Sequence, residues 1–291
     1  MDLLLQTLVN GLVVGSGYAV IAVGLTLVFG ILGIVNFAHG AFYALGAYAV
    51  FLALSVGVPY LVALPIAVAV VVAVGFLIEL SIVRRSLYGV GNHGSLIVTF
   101  ALAQVLMALM LLIAGPDPHP VRSPFGQSNL EVFGLMVAGQ RVFILLVSVA
   151  VLSAFGLWLQ RSVRGQQITA VAQNPRGALY SGINVPMIRT ISFMLGVGAA
   201  GLAGGLLAPI TTVFPTMGNG SLITSFIVVI LGGMGSISGA MLGALLIGLA
   251  NALFETYVSV QWTPALGWVL VIAILLFAPQ GLRGKAQLDR Y

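Results

Sequence analysis

The sequence predicts an all-α, polytopic transmembrane helical bundle with some broken helices, and three observations predict it. Charged residues make up 6% of the 291-residue chain and hydrophobic ones 60%, whereas a soluble domain carries roughly 25% charged residues. Water would have to solvate a surface that this chain does not possess. The apolar residues fall in runs near 6–29, 38–56, 60–82, 94–114, 142–159, 190–208, 222–232, 237–255 and 264–279. An uninterrupted apolar run of about 20 residues crosses a bilayer as a helix. No run shows the alternating pattern of a barrel strand, so helices are what satisfies the backbone in lipid. The runs read as eight to ten spans, nine as the best count, in a single integral-membrane domain, residues 1–291.

The first run, MDLLLQTLVNGLVVGSGYAV, lacks the basic leader of a cleaved signal and is long enough to span, so it reads as a retained helix. It gives way to GILGIVNFAHG, residues 30–40, where Asn36 and His39 stand among Gly30, Gly33 and Gly40. Breaking a helix in lipid strands backbone N–H and C=O groups, each costing several kcal/mol unless paired. The glycines permit a break, and Asn36 and His39 offer the donors and acceptors that satisfy it. Such breaks are tolerated where they face protein or water. Asn36, Phe37, His39, Gly40 and Tyr43 are therefore candidate lining residues of a solute pathway. Half-helix ends there present amide dipoles suited to a zwitterion. The competing reading has Asn36 capping the next helix, His39 at the interface, and the aromatic residues packing between helices.

Three connections are basic: Arg84 with Arg85, the stretch Arg161–Arg189, and the tail with Arg283, Lys285 and Arg290. They hold nine of the eleven Lys and Arg residues. The positive-inside rule makes them cytoplasmic, the C-terminus included, and leaves 115–141 external. That external loop carries Asp117, Glu131, Arg122 and Arg141, with Pro116, Pro118, Pro120 and Pro124 in its first half. An even number of crossings must separate Arg189 from Arg283, which requires a break at LGGMGSISG, 231–239. Gly232, Gly233 and Gly235 suit it, and Gly233 and Gly235 join the candidate pathway. Residues 31–41 and 230–240 share ILG-x6-GA, a weak internal echo. Counting back from Arg84 puts the N-terminus outside. Small residues recur four apart at Gly11 and Gly15, Gly201 and Gly205, and Gly239 and Gly243, spacings that bring helices together within one chain by default.

Little points to chemistry of the chain's own. There is no cysteine, no G-x-S-x-G, no H-E-x-x-H, and His39, His93 and His119 lie on different segments. No catalytic residue, metal site or cofactor is expected. A phosphate-binding loop needs Gly-x4-Gly-Lys-Ser/Thr, but the one lysine, Lys285, precedes Ala286. ATP, if used, must be bound by another subunit. Glu79 and Glu255 lie near span ends and read as interfacial side chains reaching water, which weighs against a proton relay. The arginines form no patch suited to nucleic acid. Asn174-Pro175 occurs once, in an arginine-rich segment, and reads as a helix start rather than a channel motif.

The stretch RSVRGQQITAVAQNPRGALYSGINVPMIR is longer than adjacent spans need. It contains two short helix-like pieces, near 165–173 and 175–181, with an apolar side from Ala170, Ala172, Ala178, Leu179 and Ile183. A short helix flanked by arginines suits a groove on a cytosolic protein; the alternative is a helix lying on anionic lipid heads.

Residues 24–48, GLTLVFGILGIVNFAHGAFYALGAY, resemble the signature of the inner-membrane permeases of branched-chain amino acid ABC importers, the LivH type. AVAQNPRGALYSGINV and LGGMGSISGAMLGALLIGL resemble the same family's coupling loop and following helices. The resemblance implies an ABC importer permease in a bacterial inner membrane. Its implied partners are a second permease subunit, two cytosolic ATPases and a periplasmic solute-binding protein. It also implies an ATPase-coupling role for Arg164, Ala170, Ala172, Asn174, Pro175, Arg176, Ala178 and Gly182. Setting the Glu-Ala-Ala-x3-Gly coupling glycine on Gly182 puts its alanine on Ala178, with Gly177 and Arg176 where Ala and Glu are expected. The implied solutes are branched-chain amino acids; urea, short amides and other small organic solutes are served by the same family. The runner-up class is an ATP-independent carrier or channel.

Overall fold

The computed structural model describes residues 2–89, 91–126, 128–132, 135–277 and 280–283. Lys285, Arg290 and the side chain of His93 lie outside the described residues. The elements run α1 (Asp2–Leu32), α2 (His39–Ser55), α3 (Tyr60–Ile78), a π-helical turn (Glu79–Val83), α4 (Arg84–Gly89), α5 (Gly91–Ala114), β1 (His119–Pro120), β2 (Asn129–Val132) and β3 (Leu135–Ala138). They continue through α6 (Gly139–Arg161), α7 (Val163–Gln173), α8 (Pro175–Tyr180), α9 (Val185–Leu207), β4 (Thr212–Val213), α10 (Met217–Gly232), α11 (Ile237–Tyr257) and α12 (Thr263–Phe277).

Each apolar run becomes one apolar helix. Helices α1, α3, α5, α6, α9 and α11 are long and apolar enough to cross a membrane, while α2, α10 and α12 are shorter. Burial sorts them into layers. The spans of α1 and α9 are 78% and 72% buried, against 28%, 28% and 17% for those of α3, α5 and α6. The first two form the centre and the others present apolar side chains outward, as a lipid-facing surface requires.

Glycine explains how the centre closes. A Cβ on Gly24 of α1 would stand 2.6 Å from the Gly196 carbonyl oxygen of α9. One on Gly46 of α2 would stand 2.1 Å from that of Gly201. Gly11 and Gly15 meet α11 at Leu249 and Ala244, and Gly239 and Gly243 meet α10 at Gly232 and Val228. The small-residue pairs therefore pack within this chain, Gly201 and Gly205 against the side chains of Val71, Val50 and Leu64 and the others backbone on backbone.

Both expected interruptions are present. Helix α1 ends at Leu32 and Gly33 takes φ +69°. Helix α10 ends at Gly232, followed by Gly233 at φ +97° and Gly235 at φ +86°. Two details differ from expectation. Gly30 and Gly40 sit inside α1 and α2 and serve contact rather than the break; Gly30 approaches Gly235, so the two breaks are neighbours. The break after α10 is capped from afar, since Leu282 N–H donates to Leu231 O at 2.8 Å and Arg283 N–H to Gly232 O at 3.1 Å. This places the Arg283 backbone at the negative end of α10, with its side chain exposed.

The 115–141 segment is more ordered than a loop. Strands β2 and β3 pair antiparallel, Asn129 opposite Ala138, and β1 pairs with β4, His119 opposite Val213. His119 stacks on Phe51 at 4.3 Å. Arg141 donates to Asn10, so α1 begins at this strand-bearing end. Helices α7 and α8 pack at the opposite, arginine-bearing end.

Glu79 corrects the sequence reading. It is buried rather than reaching water, because Arg84 folds back across the π-helical turn to pair with it at 3.2 Å. The same guanidinium donates to Thr190 Oγ1 on α9 at 2.7 Å. A π turn often marks a functional position in a helix.

Candidate functional site

Helix α2 does not resume where α1 stops. His39 Nε2 lies 3.0 Å from Ile21 O, and a Cβ on Gly24 would come within 3.3 Å of the His39 ring. Gly24 precedes Leu32 by eight residues, so residues 33–38 double back along α1 by roughly 12 Å. Helix α2 thus starts deep in the bundle. There its first turn meets the first turn of α10: a Cβ on Gly40 would stand 2.2 Å from Gly218 O, and one on Gly218 would stand 2.0 Å from Gly40 O. Two short helices, each preceded by non-helical chain, cross at their N-termini. Helix starts carry orphan N–H groups and positive partial charge.

Beside this crossing a cavity of about 570 Å³ opens toward the strand-bearing end. Its walls come from five helices and the 208–216 connector. Tyr18 is on α1, Tyr43 on α2, Met217, Gly220, Ser221 and Thr224 on α10, Asn251 and Glu255 on α11, and Thr263 and Trp268 on α12. Hydroxyls and an amide line it together with apolar wall from Ile227, Ile247 and Trp268. Tyr43 faces Ser221, and Tyr18 faces Asn251, on the cavity wall. Such a lining, largely apolar with a few polar groups, suits a small amphipathic molecule.

Of the residues singled out from sequence for a pathway, Tyr43 lines this cavity. Asn36 is wholly buried; its Oδ1 accepts from Ala38 N–H at 3.0 Å while Nδ2 has no partner among the described residues. His39 is equally buried, and its ring fastens the start of α2 to α1. Phe37 lies between Phe100 of α5 and Phe226 of α10, at 6.3 and 5.8 Å. Gly40 forms the crossing, and Gly233 and Gly235 lie at the arginine-bearing end. Tyr18, Ser221, Asn251 and Glu255 were missed as lining residues. A signal existed in part: Asn251 and Glu255 are four apart in an apolar helix, hence on one face.

The arginine-rich stretch folds into α7 and α8. Ser162 caps the first through Gly165 N–H at 2.9 Å, and Asn174 caps the second through Gly177 N–H at 2.9 Å, with Pro175 opening it. Helix α8 stops in a paired-carbonyl cap. Gly182 at φ +77° donates to Leu179 O and Ile183 N–H to Ala178 O, both at 3.0 Å. Ala178 turns inward, Ala170 and Ala172 are half-buried, and Arg164 and Arg176 are exposed. Leu179 and Tyr180 stand out at the end of α8, 58% and 89% exposed. Tyr180 is a further residue that the sequence reading passed over.

Comparison with known proteins bears on this architecture as a whole. BraD of Pseudomonas aeruginosa, a high-affinity branched-chain amino acid transport system permease protein, is 33% identical over 301 residues, 98% of this chain and 97% of its own. LivH of Escherichia coli K12, of the same description, is 31% identical over 299 residues, with the same coverage of 98% and 97%. The fructose import permease protein FrcC of Rhizobium meliloti is 31% identical over 193 residues, 62% of this chain and 54% of its own. No solved structure matches the chain. The family described as branched-chain amino acid transport system / permease component matches residues 7–279. A multi-pass helical bundle with a cavity beside two crossed helix starts, matched along almost its whole length, belongs to that branched-chain amino acid transport system permease family.

Proposed function

We propose that this chain is the membrane-spanning permease subunit of an ATP-driven importer for branched-chain amino acids. The observation that carries the reading is the cavity beside the α2–α10 crossing. A branched-chain amino acid needs an anion-tolerant spot for its carboxylate and apolar wall for its side chain. The first turn of α10, with Met217 and Gly220 on the cavity, supplies the former through its dipole. Ile227, Ile247 and Trp268 supply the latter. Full-length similarity to permeases named for this solute class supports the same choice.

In this reading the strand-bearing end faces the periplasm and receives solute from a binding protein. The arginine-bearing end, with the C-terminus, faces the cytosol of a bacterial cell. Two ATPase subunits supply the energy, and a second, related permease subunit completes the membrane part. Helices α7 and α8 dock on an ATPase, with Leu179, Tyr180 and Arg176 as the exposed contact and the caps at Asn174 and Gly182 holding α8 in place. Motion passes from α8 into α9, and from Thr190 through Arg84 to α3. Asn36, His39 and Gly40 act by holding the two helix starts together, and Phe37 by bridging α5 and α10, while Tyr43 meets the solute. Gly233 and Gly235 form the hinge at the cytosolic exit.

The test is reconstitution of this chain with its ATPases, second permease and binding protein in proteoliposomes, followed by uptake of radiolabelled leucine. ATP-dependent accumulation is expected. Uphill accumulation by the chain alone, or uptake indifferent to ATP, overturns the proposal.

A further inference from the structure

We infer that Glu255 and Asn251 form a recognition site for the solute's ammonium group, which makes the permease itself a filter for amines. The inference rests on the importer reading given above and extends it.

Glu255 is an exposed carboxylate on the cavity wall, unpaired among the described residues. It lies in the last turn of α11, the negative end of the helix dipole, and that turn contains no basic residue. Among the described residues no Lys, Arg or His lines the cavity. Among the described residues the ion pair is that of Glu79 with Arg84, and Glu255 has none. Its side chain is exposed at the outer end of α11, so water solvates the carboxylate, and a cation that enters the cavity meets an anion that no described residue of this chain already neutralises.

Asn251 gives a second, independent indication. It lies one helical turn deeper on the same face, and both side chains line the cavity. Its side chain lies beside Tyr18, and its Oδ1 is buried with no hydrogen-bond partner among the described residues. A buried acceptor without a donor is destabilising unless a bound molecule satisfies it. The cavity wall therefore offers two acceptors, one charged and one neutral, about 5–6 Å apart between their Cβ atoms. A primary ammonium has N–H donors for both and a charge for Glu255. Across the cavity, the start of α10 carries the opposite polarity, so a zwitterion is oriented with its ammonium toward the mouth.

The chain has no cysteine, so Thr224→Cys places a single thiol on the cavity wall. The full chain, assembled with its partner subunits in lipid nanodiscs, is labelled with a cationic and an anionic methanethiosulfonate, each rate normalised to a free thiol. Protection is then measured with leucinamide, which keeps the ammonium and lacks the carboxylate, and with 4-methylpentanoate, which does the reverse. The cationic reagent should react about tenfold faster than the anionic one, a gap of the size one unscreened charge provides. Glu255→Gln should abolish that preference and Glu255→Asp restore it. Leucinamide should protect and 4-methylpentanoate should not, with Asn251→Ala weakening the protection several-fold. An unchanged preference in Glu255→Gln, or equal protection by the two probes, overturns the inference. Failed leucine uptake with leucinamide protection intact overturns the choice of solute and supports the ammonium site. Normal uptake with no charge preference overturns the ammonium site alone.

Discussion

Gly40 of α2 and Gly218 of α10 touch through their backbones, each occupying the space where the other's Cβ would be. That contact is what lets two helix starts meet inside the bundle, and the cavity borders it. Any side chain at either position drives the helices apart. Gly40→Ala and Gly218→Ala should each destabilise the protein by about 1–3 kcal/mol, the usual cost of overpacking. Thermal unfolding in detergent reads the loss. Gly156→Ala is the control: nothing lies within 4 Å of its Cβ position, so this α6 substitution should be neutral or stabilising.

Breaking the Glu79–Arg84 pair tests the link between α3 and α9. Glu79 is 4% exposed at its side chain, whereas Arg84 is 37% exposed. Glu79→Ala should therefore cost roughly 1–3 kcal/mol, less than for a pair buried on both sides, because solvent still reaches the stranded guanidinium. Thr190→Val should slow ATP-coupled uptake with a smaller change in stability. An unaltered transport rate in Thr190→Val removes this link from the coupling route.

Leu179 and Tyr180 offer a stability-neutral probe of docking. Both side chains are mostly exposed, so Leu179→Asp with Tyr180→Ala should leave the permease folded. ATPase association should fall by tenfold or more, as expected when an aromatic anchor is lost. Removing residues 170–183 should abolish association. Copurification of the ATPases with that deletion refutes the assignment of α7 and α8 as the docking surface.

Asn36 has a structural duty that a pathway role must be weighed against. Its Oδ1 holds the Ala38 N–H just before α2. Asn36→Ala should cost about 1 kcal/mol, the usual net worth of one hydrogen bond, and should reduce uptake by loosening the α2–α10 crossing. Asn36→Ser, whose hydroxyl can accept the same kind of N–H bond without a charge, should retain more of the stability. Unchanged uptake and unchanged stability in Asn36→Ala remove Asn36 from the transport machinery.

Local signals were read correctly because they act within a turn or two of chain. The pattern Asn174-Pro175 opens α8 as caps and fixed φ dictate, and Gly182 closes it. Glycines at 232–235 end α10, as crossing parity requires. The echo between 31–41 and 230–240 does mark two breaks, and Gly30 brings them close. The closer structural counterpart of α2 is nevertheless α10, whose first turn meets its own. Sequence similarity could not indicate this, because the match of Gly40 with Gly218 is a contact between backbones without side chains. Glu79 was misread for a related reason: its burial depends on how Arg84 folds back across a π turn.

Composition and the spacing of apolar runs, by themselves, determined an all-helical membrane protein, its breaks, its caps and its arginine-rich end. These follow from what lipid and the peptide backbone demand of any chain, residue by residue. Only the tertiary structure decided that Tyr18, Tyr43, Ser221, Asn251 and Glu255 share one cavity, since they come from four helices. Bringing them together takes close glycine contacts between segments far apart in sequence, and no local pattern encodes which segments will meet.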